Sequence, residues 1–123
     1  MSLYNAYEDS HTTFEDVVFI GGTDYVLEFP IYNSAGSPQK ITSYSAIWFL
    51  SPHGQPNVTI AEIPCLALDE YTFVITIPKS LTLSLSGAYT HQLEIVLSDG
   101  RTVRPMQGTI IVRKAIPSYY GNE

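Results

Sequence analysis

Apolar and polar residues alternate with a period of two along most of this chain, as strands with one buried face require. In the stretch 87–97, Tyr89, His91, Leu93, Ile95 and Leu97 fall on one side, with Thr90, Gln92 and Glu94 on the other. Ser98-Asp99-Gly100-Arg101 supplies a tight turn, because Asp-Gly suits hairpin loops that need positive φ. A second strand over 102–113 completes a long antiparallel hairpin. The same alternation places Tyr25, Leu27, Phe29 and Ile31 opposite Val26, Glu28, Pro30 and Tyr32, with Pro30 marking an edge strand or a bulge because it has no N–H to donate. It also sets Tyr71, Phe73, Ile75 and Ile77 against Thr72, Val74 and Thr76. Shorter strands are expected at 17–20 and 58–63, and 45–50 is apolar on both sides, with Ala46, Trp48 and Leu50 facing Ile47 and Phe49 across it. The stretch 66–70 reads as a connection. Residues 78–85 read as a turn of helix with Leu81 and Leu85 over the core.

Two of these strands carry more than periodicity. Gly87-Ala88-Tyr89 puts a tyrosine at a strand start, where its hydroxyl can return to upstream backbone, and an inward Trp48 follows a turn cluster at 33–38. Both are devices of immunoglobulin-like sandwiches. The expected fold is therefore an all-β, immunoglobulin-like antiparallel β-sandwich of about seven strands. Tyr25, Leu27, Phe29, Trp48, Phe73, Ile75, Tyr89, Leu93 and Ile95 are expected inside it. The sandwich domain spans 17–116, after an N-terminal arm (1–16) and before a short C-terminal tail (117–123). The arm is polar with isolated aromatics at Tyr4, Tyr7 and Phe14, and Met1-Ser2-Leu3 has the look of an expression-tag remnant.

Composition narrows the function more than it defines it. Six basic against twelve acidic residues give a net charge of −6, which opposes binding to a phosphate backbone, so no nucleic-acid role is expected. No stretch has the length of a membrane span, and no leader pattern opens the chain. A single cysteine, Cys65, excludes an internal disulfide framework and fits a reducing compartment, hence cytoplasmic synthesis. His11, His53 and His91 lie in an arm, a loop and a strand without metal-site spacing, so no metal and no cofactor are expected. His91 reads as a core histidine. Asp16, Asp24, Asp69, Glu70 and Asp99 sit at strand ends and turns, where carboxylates accept backbone N–H groups. Gly21-Gly22 looks like a scrap of phosphate loop, but a strand follows it. Nothing here assembles a nucleophile with a base, and the chain is read as a non-enzyme.

Several of these features together resemble the small immunoglobulin-like domains of phage and prophage tail or baseplate proteins, the N-terminal domain of the baseplate upper protein among them. They are the glycine turn with Tyr25, the Asn33 to Gly36 turn, Ile41-Thr42 before the Trp48 strand, Gly87-x-Tyr89 and the Asp99-Gly100 hairpin, between Val17 and Val112. The resemblance implies a non-catalytic structural or assembly role through protein–protein contacts, with self or with other tail-like components, and a place in a virion or tail-like particle. Ile47 and Phe49, turned away from Trp48, are the expected contact face of a homo-oligomer or larger assembly, with Tyr4, Tyr7 and Phe14 as anchors. A carbohydrate-binding β-sandwich module is the alternative, with Tyr44, Tyr119 and Tyr120 stacking on sugar rings.

Overall fold

The computed structural model describes residues 16–33 and 35–116, together with the backbone of 6–7 and 13–14. The described residues form ten strands: β1 Ala6–Tyr7, β2 Thr13–Phe14, β3 Val17–Ile20, β4 Tyr25–Tyr32, β5 Ser45–Pro52, β6 Ala61–Pro64, β7 Leu66–Ala67, β8 Thr72–Ile77, β9 Gly87–Val96 and β10 Thr102–Arg113. One helical turn, α1 Lys79–Leu83, lies between β8 and β9. The strands form two sheets. The first runs β1-β4-β8-β7; the second runs β2-β10-β9-β5-β6, with β3 also on the outer edge of β10. This is the immunoglobulin-like sandwich expected, and seven of its strands have four residues or more.

The β9–β10 hairpin turns at Gly100, whose φ of +90° is open to glycine and strained for other residues. Asp99 Oδ1 accepts the Arg101 N–H at 3.0 Å, and that bond, with the guanidinium beside it, holds the Asp99 carboxyl below its ordinary range. Leu27, Phe29, Ile31, Trp48, Leu50, Phe73, Ile75, Leu93, Ile95, Met106 and Ile110 are buried between the sheets. Trp48 anchors them. Its indole Nε1–H donates to Nδ1 of the fully buried His91 at 3.1 Å, across paired strands β5 and β9.

Two expected core residues, Tyr25 and Tyr89, are only half-buried. Each has a hydroxyl that must reach a polar partner, so the ring packs on the core while its tip stays at the rim. The Tyr25 hydroxyl accepts the Ile20 N–H at 2.8 Å and the ring stacks on Phe19 with centroids 4.1 Å apart. The Tyr89 hydroxyl accepts from Ser86 N–H and donates to Ser86 C=O, both at 2.9 Å, which closes the tyrosine corner.

The Gly21-Gly22 turn is held from sixty residues away. Thr82 of α1 is fully buried, and its Oγ1 accepts the N–H groups of Gly22 and Thr23, each at 3.1 Å, and donates to the Thr23 carbonyl at 2.8 Å. Gly21 donates to the Arg113 carbonyl at 2.7 Å, and a Cβ there would sit 3.1 Å from the Thr82 carbonyl oxygen. Asp24 Oδ1 accepts the Lys79 N–H at the start of α1 at 2.7 Å. The glycines thus let two backbones approach, and the turn's donors are spent on a threonine rather than offered to a phosphate.

The backbone of the arm pairs within this chain, Ala6–Tyr7 along Ile31–Tyr32 and Thr13–Phe14 along Met106–Gln107, both parallel. Ile31 N–H donates to the Tyr71 carbonyl. By strand alternation Pro30 then turns its missing N–H to the outer side of β4, where it costs no bond to β8. Strand β7, read above as a connection, is a two-residue edge that Val74 and Phe73 of β8 hold in place.

Candidate functional site

The carboxylates act on backbone. Asp16 Oδ1 accepts the Thr109 N–H, Asp24 the Lys79 N–H, Asp69 the Tyr71 N–H and Asp99 the Arg101 N–H, at 2.7–3.0 Å, while Glu70 lies 3.5 Å from Lys40 Nζ. The four aspartates serve as turn and strand-end acceptors. Among the described residues no group of three His, Cys, Asp or Glu side chains is placed to hold a metal ion.

Cys65 is half-buried, and desolvation pushes its thiol up to about 12. At pH 8 the folded thiol is therefore expected to react with iodoacetamide on the order of 10³-fold more slowly than the unfolded chain, since the thiolate is the nucleophile. Labelling followed by intact mass with and without urea checks this; equal rates would show an accessible thiol.

Two outward sheet faces remain. On the six-stranded sheet Ile47 and Phe49 point away from Trp48, as the alternation requires, and both are half-buried. Their surroundings are polar. Phe49 and Ser51 of β5, Thr90, Gln92 and Glu94 of β9 and Gln107 of β10 form the floor of a shallow depression of about 230 Å³. Pro56 and Thr59, from the loop between β5 and β6, wall it on one side. Gln107 Nε2 donates to Gln92 Oε1 at 3.2 Å, and Arg104 Nη2 to Glu94 Oε2 at 2.9 Å.

The four-stranded sheet presents the more apolar face. Leu27, Phe29, Phe73, Ile75 and Ile77 point inward, so Val26, Glu28, Pro30, Val74 and Thr76 point out. The register sets Glu28 beside Val74 and Val74 beside Leu66. Leu66 is 71% exposed, Leu68 52% and Val26 47%. Glu28 is the one charged residue in β4, β7 and β8. At the Val26 end of this face an apolar cleft of about 460 Å³ lies between β3 and β4; among its described lining residues the one carboxylate, Asp24, already accepts the Lys79 N–H.

Of the residues singled out from sequence, Tyr44 is half-buried against the core rather than displayed as a stacking platform. Tyr4, Tyr119 and Tyr120 lie outside the described residues, as do the side chains of Tyr7 and Phe14. The Val26, Leu66, Leu68 and Val74 face was missed, because it forms only when β7 is placed beside β8.

The sandwich as a whole superposes on a solved domain. Its fold is that of the N-terminal domain of phage TP901-1 ORF48. The two structures superpose with a TM-score of 0.55 over 93% of this chain and 100% of that one, at 12% sequence identity. Looser overlaps occur with the fibronectin(III)-like modules of Clostridium thermocellum CbhA (TM-score 0.46, 11% identity, 91% of this chain and 98% of that one). CopC from Methylosinus trichosporium OB3b overlaps at a TM-score of 0.41 with 13% identity, over 60% of this chain and 67% of that one. No family model matches the sequence, and no curated protein does.

Proposed function

We propose that this chain is a non-catalytic β-sandwich module of a phage or prophage tail-like particle that works through contact with another protein subunit. The observation that carries the reading is the outer face of the four-stranded sheet, where Val26, Val74 and Leu66 share the surface with a single charged residue, Glu28, and Leu68 follows β7 exposed. Water covers this face in the isolated chain, and burying it against a neighbour contributes roughly 25 cal/mol per Å² before the costs of association. The likeness to the phage ORF48 domain supports the setting. Ile47 and Phe49 offer less apolar area, since amides and hydroxyls ring Phe49.

Sedimentation velocity across a dilution series tests the reading with wild type and Leu66→Asp. Wild type is expected to form a species heavier than the 13.7 kDa monomer, lost in the variant without a change in melting temperature, because an exposed substitution alters stability by only about 0.5 kcal/mol or less. A strictly monomeric wild type moves the contact to a foreign subunit. Cross-linking from position 66 in assembled particles then decides, and a Leu66 that reaches no second subunit there ends the proposal.

A further inference from the structure

We infer that the depression on the outer face of the six-stranded sheet is a saccharide-binding site, in which Phe49 stacks on one face of a neutral pyranose while Gln92, Gln107 and Glu94 bind its hydroxyls. It lies on the opposite sheet from the proposed protein contact and does not depend on it.

A sugar ring has an apolar face of C–H groups and a rim of hydroxyls that both donate and accept. Its receptor needs a flat apolar platform beside mixed donors and acceptors. Among the described residues Phe49 is the aromatic ring in this depression, and its direct cross-strand partner on β9 is Gln92, which in turn pairs with Gln107 on β10. Neighbouring strands are about 4.8 Å apart, so the row Phe49, Gln92, Gln107 spans roughly 10 Å, room for one or two sugar rings.

The hydrogen-bonding supply suits such a ligand. Each glutamine amide has two donors and an acceptor oxygen with two lone pairs, and the single bond from Gln107 Nε2 to Gln92 Oε1 uses one donor and one lone pair. The rest of both amides is left for a ligand. Glu94 lines the depression and accepts from Arg104 through Oε2, so the lone pairs of Oε1 can serve a ligand. Ser51 and Thr90, opposite one another on β5 and β9, add hydroxyls beside the ring. A planar amide pair next to a fixed carboxylate matches vicinal hydroxyls of a pyranose. The ligand is neutral because Glu94 lines the site and the chain carries a net charge of −6, which repels uronic and phosphorylated sugars. Thr59 and Pro56 close one side, so the sugar enters from above the sheet rather than from the β6 edge.

The test is a titration of ¹⁵N-labelled full chain followed by two-dimensional NMR, with glucose, galactose, N-acetylglucosamine, maltose, cellobiose and lactose as probes. At least one is expected to give saturable shifts at the backbone amides of Phe49, Ser51, Thr90, Gln92, Glu94 and Gln107. Phe49→Ala is expected to weaken that binding at least tenfold and Phe49→Tyr to keep it. Gln92→Ala, an outward substitution that leaves the core untouched, is expected to weaken it severalfold in a spectrum otherwise like wild type. No saturable shift with any of the six sugars, shifts confined to other residues, or affinity unchanged in both Phe49→Ala and Gln92→Ala would each overturn the site. None of those outcomes bears on sedimentation of the Leu66→Asp variant, so the two readings fail separately.

Discussion

Replacing Trp48 by alanine is expected to cost about 3–5 kcal/mol of stability. The indole is fully buried between the sheets, so truncation leaves a cavity that the paired strands on both sides of β5 prevent from closing. A second loss places the variant at the upper end of that range. Tryptophan Nε1 is a donor only, so Nδ1 of His91 must be the acceptor, and His91 is the neutral imidazole with its proton on Nε2. Without the indole that buried acceptor loses its donor, at about 1–3 kcal/mol for a group of this kind. Domains of this size hold about 5–15 kcal/mol in all, so the variant sits near the edge of folding at room temperature. Urea denaturation followed by circular dichroism measures the change. Trp48→Phe, which keeps most of the volume and removes only the donor, is expected to fall between wild type and alanine. A loss under about 1 kcal/mol for alanine would remove Trp48 as the anchor of the core.

Thr82→Val is expected to cost about 2–3 kcal/mol although it changes almost no volume. The valine keeps the shape of the side chain in its buried position but accepts nothing, so the N–H groups of Gly22 and Thr23 lose their shared acceptor. The Thr23 carbonyl loses its donor as well. Gly22 is half-buried and Thr23 lies at the rim, so water replaces only part of what the hydroxyl supplied. Thr82→Ser retains the oxygen and is expected to lose under about 1 kcal/mol, the value of the buried methyl. Denaturation midpoints of the two variants, with amide exchange at Gly22 and Thr23, separate the hydroxyl from the methyl. Equal stability of valine and wild type would mean the turn does not need its clamp.

Much of this architecture could be read from period-two alternation alone. β4 and β10 occupy the residues that the pattern marked, and Trp48, His91 and Leu93 point inward as their parity requires. The tyrosine corner was legible because its partners are three residues apart. What escaped depends on residues far apart in the chain. Thr82 reads as an ordinary helix residue until the Gly21-Gly22 turn, about sixty positions earlier, lies against it. Strand β7 has two residues, too few to show a period, and exists because β8 offers it an edge. The apolar outer face of the four-stranded sheet then follows from β7 rather than from any one strand. The same holds for the depression at Phe49. That residue stood out in the sequence, but Gln92 and Gln107 look like routine outward polar positions until pairing across β5, β9 and β10 sets them beside the ring.

Strand β10 bonds on one edge to β9, its immediate predecessor, and on the other to β2 and β3, the earliest strands of its sheet. Asp16 reaches Thr109 across 93 positions of sequence. During synthesis, therefore, Val17–Ile20 leaves the ribosome long before the strand it pairs with has been made. Contacts between such distant positions slow folding, because the closure entropy of a long loop is spent before the pairing rewards it. Until β10 arrives, Val18 and Phe19 belong to an unpartnered apolar strand, the kind of segment that joins other chains by its edge. The hairpin that closes the sheet is thus also the step that ends the nascent chain's exposure to aggregation, and substitutions that delay it are expected to lower yield before they lower stability.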